Sequence, residues 1–223
     1  MRRRFELILR YLFMNFYYQI EMFVVEMADK YDEKGKKILD VGAGTGKHKE
    51  YFKKISYTAC DVSQNKERTI DIVGDFIDEP KKFKKEDYDY VLCIQVLEHF
   101  TDPKTAFSHF NRVLKPGGRL FLTTNFIYQT HMEPVDYFRF TKYGLNLLGE
   151  KNGFKVERVK PQGGIFSVLV YVLVTLPLRL GLEKNKWLYY LYLVIFSPVI
   201  ILGNLLAVVL DKFDREKKLT INY

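Results

Sequence analysis

Apolar side chains near the start of the chain recur at steps of three and four: Leu9, Leu12, Phe13, Phe16, Ile20, Phe23, Val24 and Met27. That period gathers them on one face of a helix, with Glu6, Arg10, Asn15, Gln19, Glu21 and Glu26 interspersed. An amphipathic helix within residues 1–30 is the expectation, either packed beside the rest of the chain or laid on a membrane surface. Beyond it, short apolar runs alternate with polar stretches. Residues 37–41, 56–60, 69–73, 88–94, 119–124 and 154–159 read as strands, the first of them a buried parallel strand. Between the fourth and fifth, Asp102 caps a helix that opens on Pro103, buries Phe107, Phe110, Val113 and Leu114, and stops at Pro116-Gly117-Gly118. Residues 143–151 form a further helix, stopped near Gly153. The connection between strands two and three is too short and polar for a full crossover helix. Strands and helices alternating at these lengths imply a doubly wound α/β sheet.

Past Gln162-Gly163-Gly164 the pattern changes. Residues 165–178 are uncharged, and residues 187–210 are uncharged for long enough to span a bilayer. Trp187, Tyr189, Tyr190 and Tyr192 crowd one end as an interfacial belt would, while Pro198 and Gly203-Asn204 interrupt the middle. The domain reading is residues 1–30 as the amphipathic helix, 31–162 as the core, 163–212 as an apolar helical insert and 213–223 as a return to the core.

Composition narrows the classes. The chain has 223 residues, 48% hydrophobic and 16% aromatic, enough for one well-buried domain with an appendage and unlike a disordered chain. Its net charge of +8 fits attraction either to nucleic acid or to an anionic membrane. Clusters such as Lys81-Lys82-Phe83-Lys84-Lys85 are best read as solvated faces. The arginines at positions 2–4 precede an apolar stretch, but polar residues interrupt it and no small-residue cleavage site follows, so a signal peptide is not expected. Cys60 and Cys93 sit in apolar runs as buried free thiols of a reducing compartment. No Cys/His spacing suits zinc, and no metal is expected.

The chemistry concentrates where the first strand ends. Asp40-Val41-Gly42-Ala43-Gly44-Thr45-Gly46 breaks an apolar run into a glycine turn that lets backbone approach a ligand, with residues 47–52 opening a helix. A dinucleotide fold would want G-x-G-x-x-G; here the third glycine comes one residue early. Asp61 follows about twenty residues on, where a second strand brings a carboxylate to ribose hydroxyls. Together with Gly74-Asp75, Tyr88-Asp89-Tyr90-Val91, Val96-Leu97-Glu98-His99 and Arg112-Val113-Leu114-Lys115-Pro116-Gly117-Gly118, these motifs resemble class I S-adenosylmethionine-dependent methyltransferases over about residues 37–159.

The resemblance implies a Rossmann-like sheet of seven strands. The last, residues 219–223, would insert antiparallel between strands five and six, so the apolar insert would leave and return on the same side of any membrane. It also implies S-adenosylmethionine as cofactor. Backbone at Gly42, Ala43, Gly44 and Gly46 would receive the methionine part, and Asp40 would lie near its ammonium group. Asp61 would hold the ribose hydroxyls and Asp75 the adenine amino group, with Phe76 or Ile77 against the ring and Gln95 lining the transfer site. For Asp61 and Asp75 the alternative is turn capping. His99 and His131 are candidates for a general base, the alternative being that each orders its loop; His48 and His109 read as helix-surface residues. The loop carrying Glu133, Asp136 and Arg139 resembles a segment of methyltransferases often encoded with surface-polysaccharide genes. It either lines a polar substrate pocket or is held by an Asp136–Arg139 pair.

The expected function is methyl transfer to an oxygen or nitrogen of a small or lipid-linked acceptor, a glycan being the first to test. The expected location is the cytoplasmic face of a membrane. For the insert, monotopic or re-entrant association is favoured over a crossing hairpin, because Arg179, Lys184 and Lys186 resist export; a soluble lid or homodimer interface is the third reading. A non-catalytic membrane adaptor is opposed by the intact glycine turn and both carboxylates. A nucleic-acid methyltransferase is permitted by charge alone and lacks any appended RNA-binding module.

Overall fold

The computed structural model describes residues 2–223, with side chains from Glu6 onward. The side chains of the arginines at 2–4, read above against a signal peptide, lie outside the described residues. The chain divides into two compact units: residues 23–160 with Tyr223, and residues 1–22 with 161–222.

The first unit is built on five parallel strands, β1 (Lys37–Val41), β2 (Ser56–Asp61), β3 (Ile72–Val73), β4 (Tyr88–Ile94) and β5 (Leu114–Thr123), in the order β3-β2-β1-β4-β5. Leu39, Val41, Val91 and Cys93 lie in a core with Phe76, Phe83, Phe107 and Phe110, and β4 is buried along its whole length, as a strand covered on both faces must be. From β1 the chain moves outward to β2 and β3, then returns to β4 on the other side. That reversal opens a crevice at the carboxyl ends of β1 and β4, where α/β sheets bind ligands. Helix α3 (Pro103–Val113) starts as expected, Asp102 accepting from the amides of Lys104 and Thr105, and α4 (Lys142–Lys151) is capped by Thr141.

Several expected elements are shorter than their patterns, each for a local reason. The segment after the glycine turn is a single 3-10 turn, Lys47–Tyr51, because the Asp32 carboxylate captures the amides of Lys53, Lys54 and Ile55 and draws the chain out of helix. β3 keeps two residues: the amides of Thr69 and Ile70 bond to the side chains of Asn65 and Gln64 instead of a ladder. Residues 154–157 keep the alternation of half-buried and exposed side chains, which breaks at the exposed pair Glu157 and Arg158, and residues 154–159 form no strand among the described residues. The expected last strand is reduced to an antiparallel bridge, Gln162 with Asn222, and a pair of backbone hydrogen bonds between Thr124 and Tyr223. Among the described residues the sheet therefore has five strands.

The second unit holds α1 (Arg2–Phe13), α5 (Ile165–Arg179) and α6 (Lys186–Leu210), with the start of α2 (Asn15–Tyr31), inside which the division falls. The single amphipathic helix expected here is two. Arg10 reaches Glu21 at 3.3 Å, whereas eleven residues of straight helix would separate them by about 16 Å, so the chain bends at Met14. The N-terminus of α5 is closed by carboxylates from beyond α6: Asp211 accepts from Gly164 N, Phe166 N and Ser167 Oγ, and Asp214 from Ile165 N. The apolar excursion thus begins and ends at one point. Between its helices, Tyr192 donates to the Leu173 carbonyl, and Asn204 of α6 donates to the Leu12 carbonyl of α1. Val194, Ile195, Val199 and Leu202 of α6 are more than half exposed. Among the described residues α6 is the one helix long and apolar enough to cross a membrane.

Candidate active site

Gly42, Gly44 and Gly46 all have positive φ, at 73°, 56° and 70°. A Cβ at Gly42 would lie 2.3 Å from Val96 Cγ2 and one at Gly46 2.6 Å from Thr69 Oγ1, so these two glycines are required by the protein's own packing. A Cβ at Gly44 would meet nothing within 4 Å, so the turn faces open space there. Asp61, at the end of β2, accepts from Gly44 N at 2.8 Å, and Asn65 and Thr69 pin the turn through the carbonyls of Gly44 and Thr45. The sequence gives no signal for this part played by Asn65 and Thr69: Asn65 lies in the polar stretch read as a connection, and Thr69 at the start of the run read as the third strand.

Asp40 is 1% exposed, and its carboxylate accepts from the Tyr57 hydroxyl and lies 3.4 Å from His48 Nδ1. Burial and the Asp40 charge push the Tyr57 phenol well above its usual range. His48 is buried in this trio and is not the surface residue its position implied. Asp75 Oδ1 accepts from the amides of Ile77 and Asp78, which is turn capping. Phe76 is 2% exposed and stacked on Phe110, so its ring serves the core and does not present a face for adenine; Ile77 is half-buried. His109 is also half-buried, its Nδ1 3.1 Å from the Phe76 carbonyl. Gln95 has positive φ and donates from Nε2 to Thr123 Oγ1, which fixes the end of β4 against β5.

Past β4 the chain brings together groups far apart in sequence. Glu98 is 0% exposed; its Oε2 accepts from Thr124 and its Oε1 from Asn125 Nδ2 at 2.6 Å, and burial raises its carboxyl above the usual range. His99 Nδ1 lies 2.6 Å from the Val135 carbonyl. The His131 ring packs edge-on to His99, centroids 4.8 Å apart, with its Nδ1 3.1 Å from Asp136 Oδ2. Arg139 grips Asp136 with two bonds of 2.7 Å and also bonds to the carbonyls of Tyr128, Gln129 and Phe138. The guanidinium holds the Asp136 carboxyl well below the usual range. Asp136 and Arg139 therefore pair to hold the loop, while Glu133 is exposed upon it. One donor atom each from Glu98, His99 and His131 lies within 4.8 Å of the others, a metal-capable cluster that no sequence spacing announced. Glu98 stands in a motif where the histidine drew attention; its burial needed the fold.

Parallel strands, the crevice at β1 and β4, and an open glycine turn with a carboxylate over it define a class I S-adenosylmethionine-dependent methyltransferase. The family description "methyltransferase domain" matches residues 10–159, more than half the chain, and the chain belongs to that family, whose cofactor is S-adenosylmethionine. The chain is 30% identical over 103 residues to a ubiquinone biosynthesis O-methyltransferase of Klebsiella pneumoniae subsp. pneumoniae, covering 40% of this chain and 43% of that one. It is 28% identical to the enzyme of that name from Vibrio atlanticus, covering 40% and 44%. The chain thus spans well under half the length of these relatives. In fold it is similar to a structure described as a sarcosine dimethylglycine methyltransferase from Galdieria sulphuraria, with TM-score 0.57, 18% identity, and 91% and 82% of the two chains covered. A methyltransferase-like structure from Bacillus halodurans has TM-score 0.50 and 21% identity, with 60% and 70% covered.

Proposed function

We propose that this enzyme methylates an oxygen of a lipid-linked acceptor at the cytoplasmic face of a membrane. The observation that carries the membrane part is α6, a 25-residue apolar helix with most of its middle exposed, whose excursion closes at Asp211 and Asp214. A span entered and left at one point cannot be a single crossing. The basic Arg179, Lys184 and Lys186 at its far end suit an anionic headgroup layer, so the excursion lies along the near leaflet in a monotopic association. Oxygen is favoured over nitrogen because the relatives' names are those of O-methyltransferases. A glycan on the lipid remains the first acceptor to test. A soluble homodimer through α6 is the competing arrangement.

S-adenosylmethionine, when bound, supplies a methyl group already activated by its sulfonium charge. The open face of the turn at Gly44, with backbone from Gly42 to Gly46, would receive the methionine part; Asp61 would take the ribose hydroxyls, Asp75 the adenine amino group, and Ile77 the ring face. Asp40 acts from beneath, keeping the end of β1 fixed through Tyr57. Gln95 and the groups after β4 line the acceptor's place, where the work is to align oxygen, carbon and sulfur. The leaving electron pair would stay on the cofactor's sulfur, and His99 or His131 would take the acceptor's proton.

Labelled S-adenosylmethionine supplied to membrane and soluble extracts tests the reading. Label is expected in the lipid fraction, and Asp61→Ala is expected to lose cofactor binding by calorimetry. Label confined to soluble nucleic acid or protein would overturn it.

A further inference from the structure

We propose that Glu98, His99 and His131 form a binding site for a divalent first-row transition cation, of the zinc, iron(II) or manganese type. The three side chains come from two places, Glu98 and His99 after β4 and His131 from the loop after β5, and one donor atom of each lies within 4.8 Å of the others. Two imidazoles and a carboxylate are the donors such cations take, in an arrangement that leaves positions open.

The surroundings fit ligation better than mere packing. The Val135 carbonyl can only accept, so His99 carries its proton on Nδ1 and keeps a lone pair on Nε2. His131 donates its backbone amide to Asp136 Oδ2, while its ring Nδ1, 3.1 Å from that oxygen, is buried and makes no hydrogen bond among the described residues. A ring nitrogen bonded to a carbonyl is the outer arrangement that metal-bound histidines show, as at His99, and beside His131 the Asp136 carboxylate is held in place by Arg139. Glu98 supplies the independent observation. It is 0% exposed, receives only neutral donors from Thr124 and Asn125, and among the described residues pairs with no lysine or arginine. A buried carboxylate with neutral partners alone is costly; a cation between it and the two imidazoles removes that cost. Asn125 Oδ1, buried and without a partner, is the further acceptor on hand for a metal-bound water.

Donors around a first-row cation at about 2.0–2.2 Å stand roughly 3–3.5 Å apart, so the half-buried rings of His99 and His131 must turn inward on binding. The chemical consequence rests on the acceptor reading above. With an open position taken by the acceptor oxygen, the cation lowers that oxygen's proton affinity, the proton passes to water, and the imidazoles serve as ligands in place of acting as bases.

The test is cation binding by the full chain after chelator treatment, with Zn2+ by calorimetry and Co2+ by its visible spectrum. S-adenosylmethionine binding is measured separately on the same samples. One equivalent is expected to bind, with tenfold or greater weakening in His131→Ala, His99→Ala and Glu98→Gln, 10–100-fold in Asp136→Asn, and no change in His109→Ala. Retained S-adenosylmethionine binding shows that each variant is folded. Wild-type protein that binds neither cation, or binds both as tightly as the His99→Ala/His131→Ala double variant, overturns the site. Loss of S-adenosylmethionine binding in the wild type would instead strike the enzyme reading and leave the metal result standing.

Discussion

At the scale of single residues, Gly42 and Gly44 separate what the fold needs from what the ligand needs. Both have positive φ, but a side chain at Gly42 collides with Val96, whereas one at Gly44 enters empty space. Gly42→Ala is expected to cost more than about 1 kcal/mol of stability in a denaturant melt, since strain and collision add. Gly44→Ala is expected to cost only the backbone strain, of the order of 1 kcal/mol, yet to lose most S-adenosylmethionine affinity by calorimetry, because its methyl occupies the space the methionine part would take. Equal losses of affinity per unit of lost stability would mean the turn is structural only. The same distinction applies to the two carboxylates nearest the turn: Asp61 bonds to the turn itself, while Asp40 is spent on Tyr57 and sits next to His48. The cysteines are a simpler case. Burial pushes the Cys60 thiol up to about 12, which agrees with a structural thiol and not a reactive one.

At the scale of elements, side-chain carboxylates decide where backbone order stops. Asp32 ends the 3-10 turn after the glycines by taking three successive amides, and Asp211 with Asp214 caps α5 from the far end of the apolar excursion. Burial tends to raise the Asp32 carboxyl, and the bonds from Ile55, Lys53 and Lys54 outweigh it and hold it below its ordinary value. A depressed folded-state pKa means that the stabilisation is present above the unfolded value, about 3.9, and is lost as pH falls through the folded one. Asp32→Asn is therefore expected to lower the melting temperature at neutral pH and to flatten its decline in acid, as followed by circular dichroism between pH 7 and pH 2. Parallel curves for the two proteins would show that the carboxylate carries no such linkage. β3 falls short for a related reason, with amide side chains in place of carboxylates. β3 loses its first residues to Asn65 and Gln64, and polar side chains in the nominal connection are the signal that local bonds would compete with a ladder.

At the scale of the whole molecule, two compact units carry two kinds of surface: one built on the parallel sheet and the glycine turn, the other on apolar helices with side chains such as Val194 and Ile195 exposed at 71% and 57%. An apolar surface of that extent on a helix is a membrane or protein contact. Wild-type protein is expected to float with vesicles of phosphatidylcholine and phosphatidylglycerol in a density gradient, and to stay bound in high salt because the main attraction is apolar. Val194→Lys is expected to remain at the bottom of the gradient while binding S-adenosylmethionine as the wild type does. A detergent-free, monodisperse dimer that ignores vesicles would assign the same surface to a second copy of the chain.

The sequence by itself determined the parts that depend on local chemistry. The glycine spacing and the apolar runs within β1 and β4 specify a buried strand breaking into a turn, because backbone freedom and burial on both faces are written in neighbouring residues. The start of α3 and the extents of α5 and α6 followed for the same reason, caps and uncharged lengths being local, but α3 stops at Val113 and Leu114 opens β5, which runs on through Pro116-Gly117-Gly118 where the helix was expected to end. Tertiary structure alone decided what depends on residues distant in sequence. It buried His48 against Asp40, turned the Phe76 ring into the core, left residues 154–159 without a ladder, and set Glu98 and His99 beside His131. No periodicity encodes such meetings, since each is fixed by how strands stack and loops return.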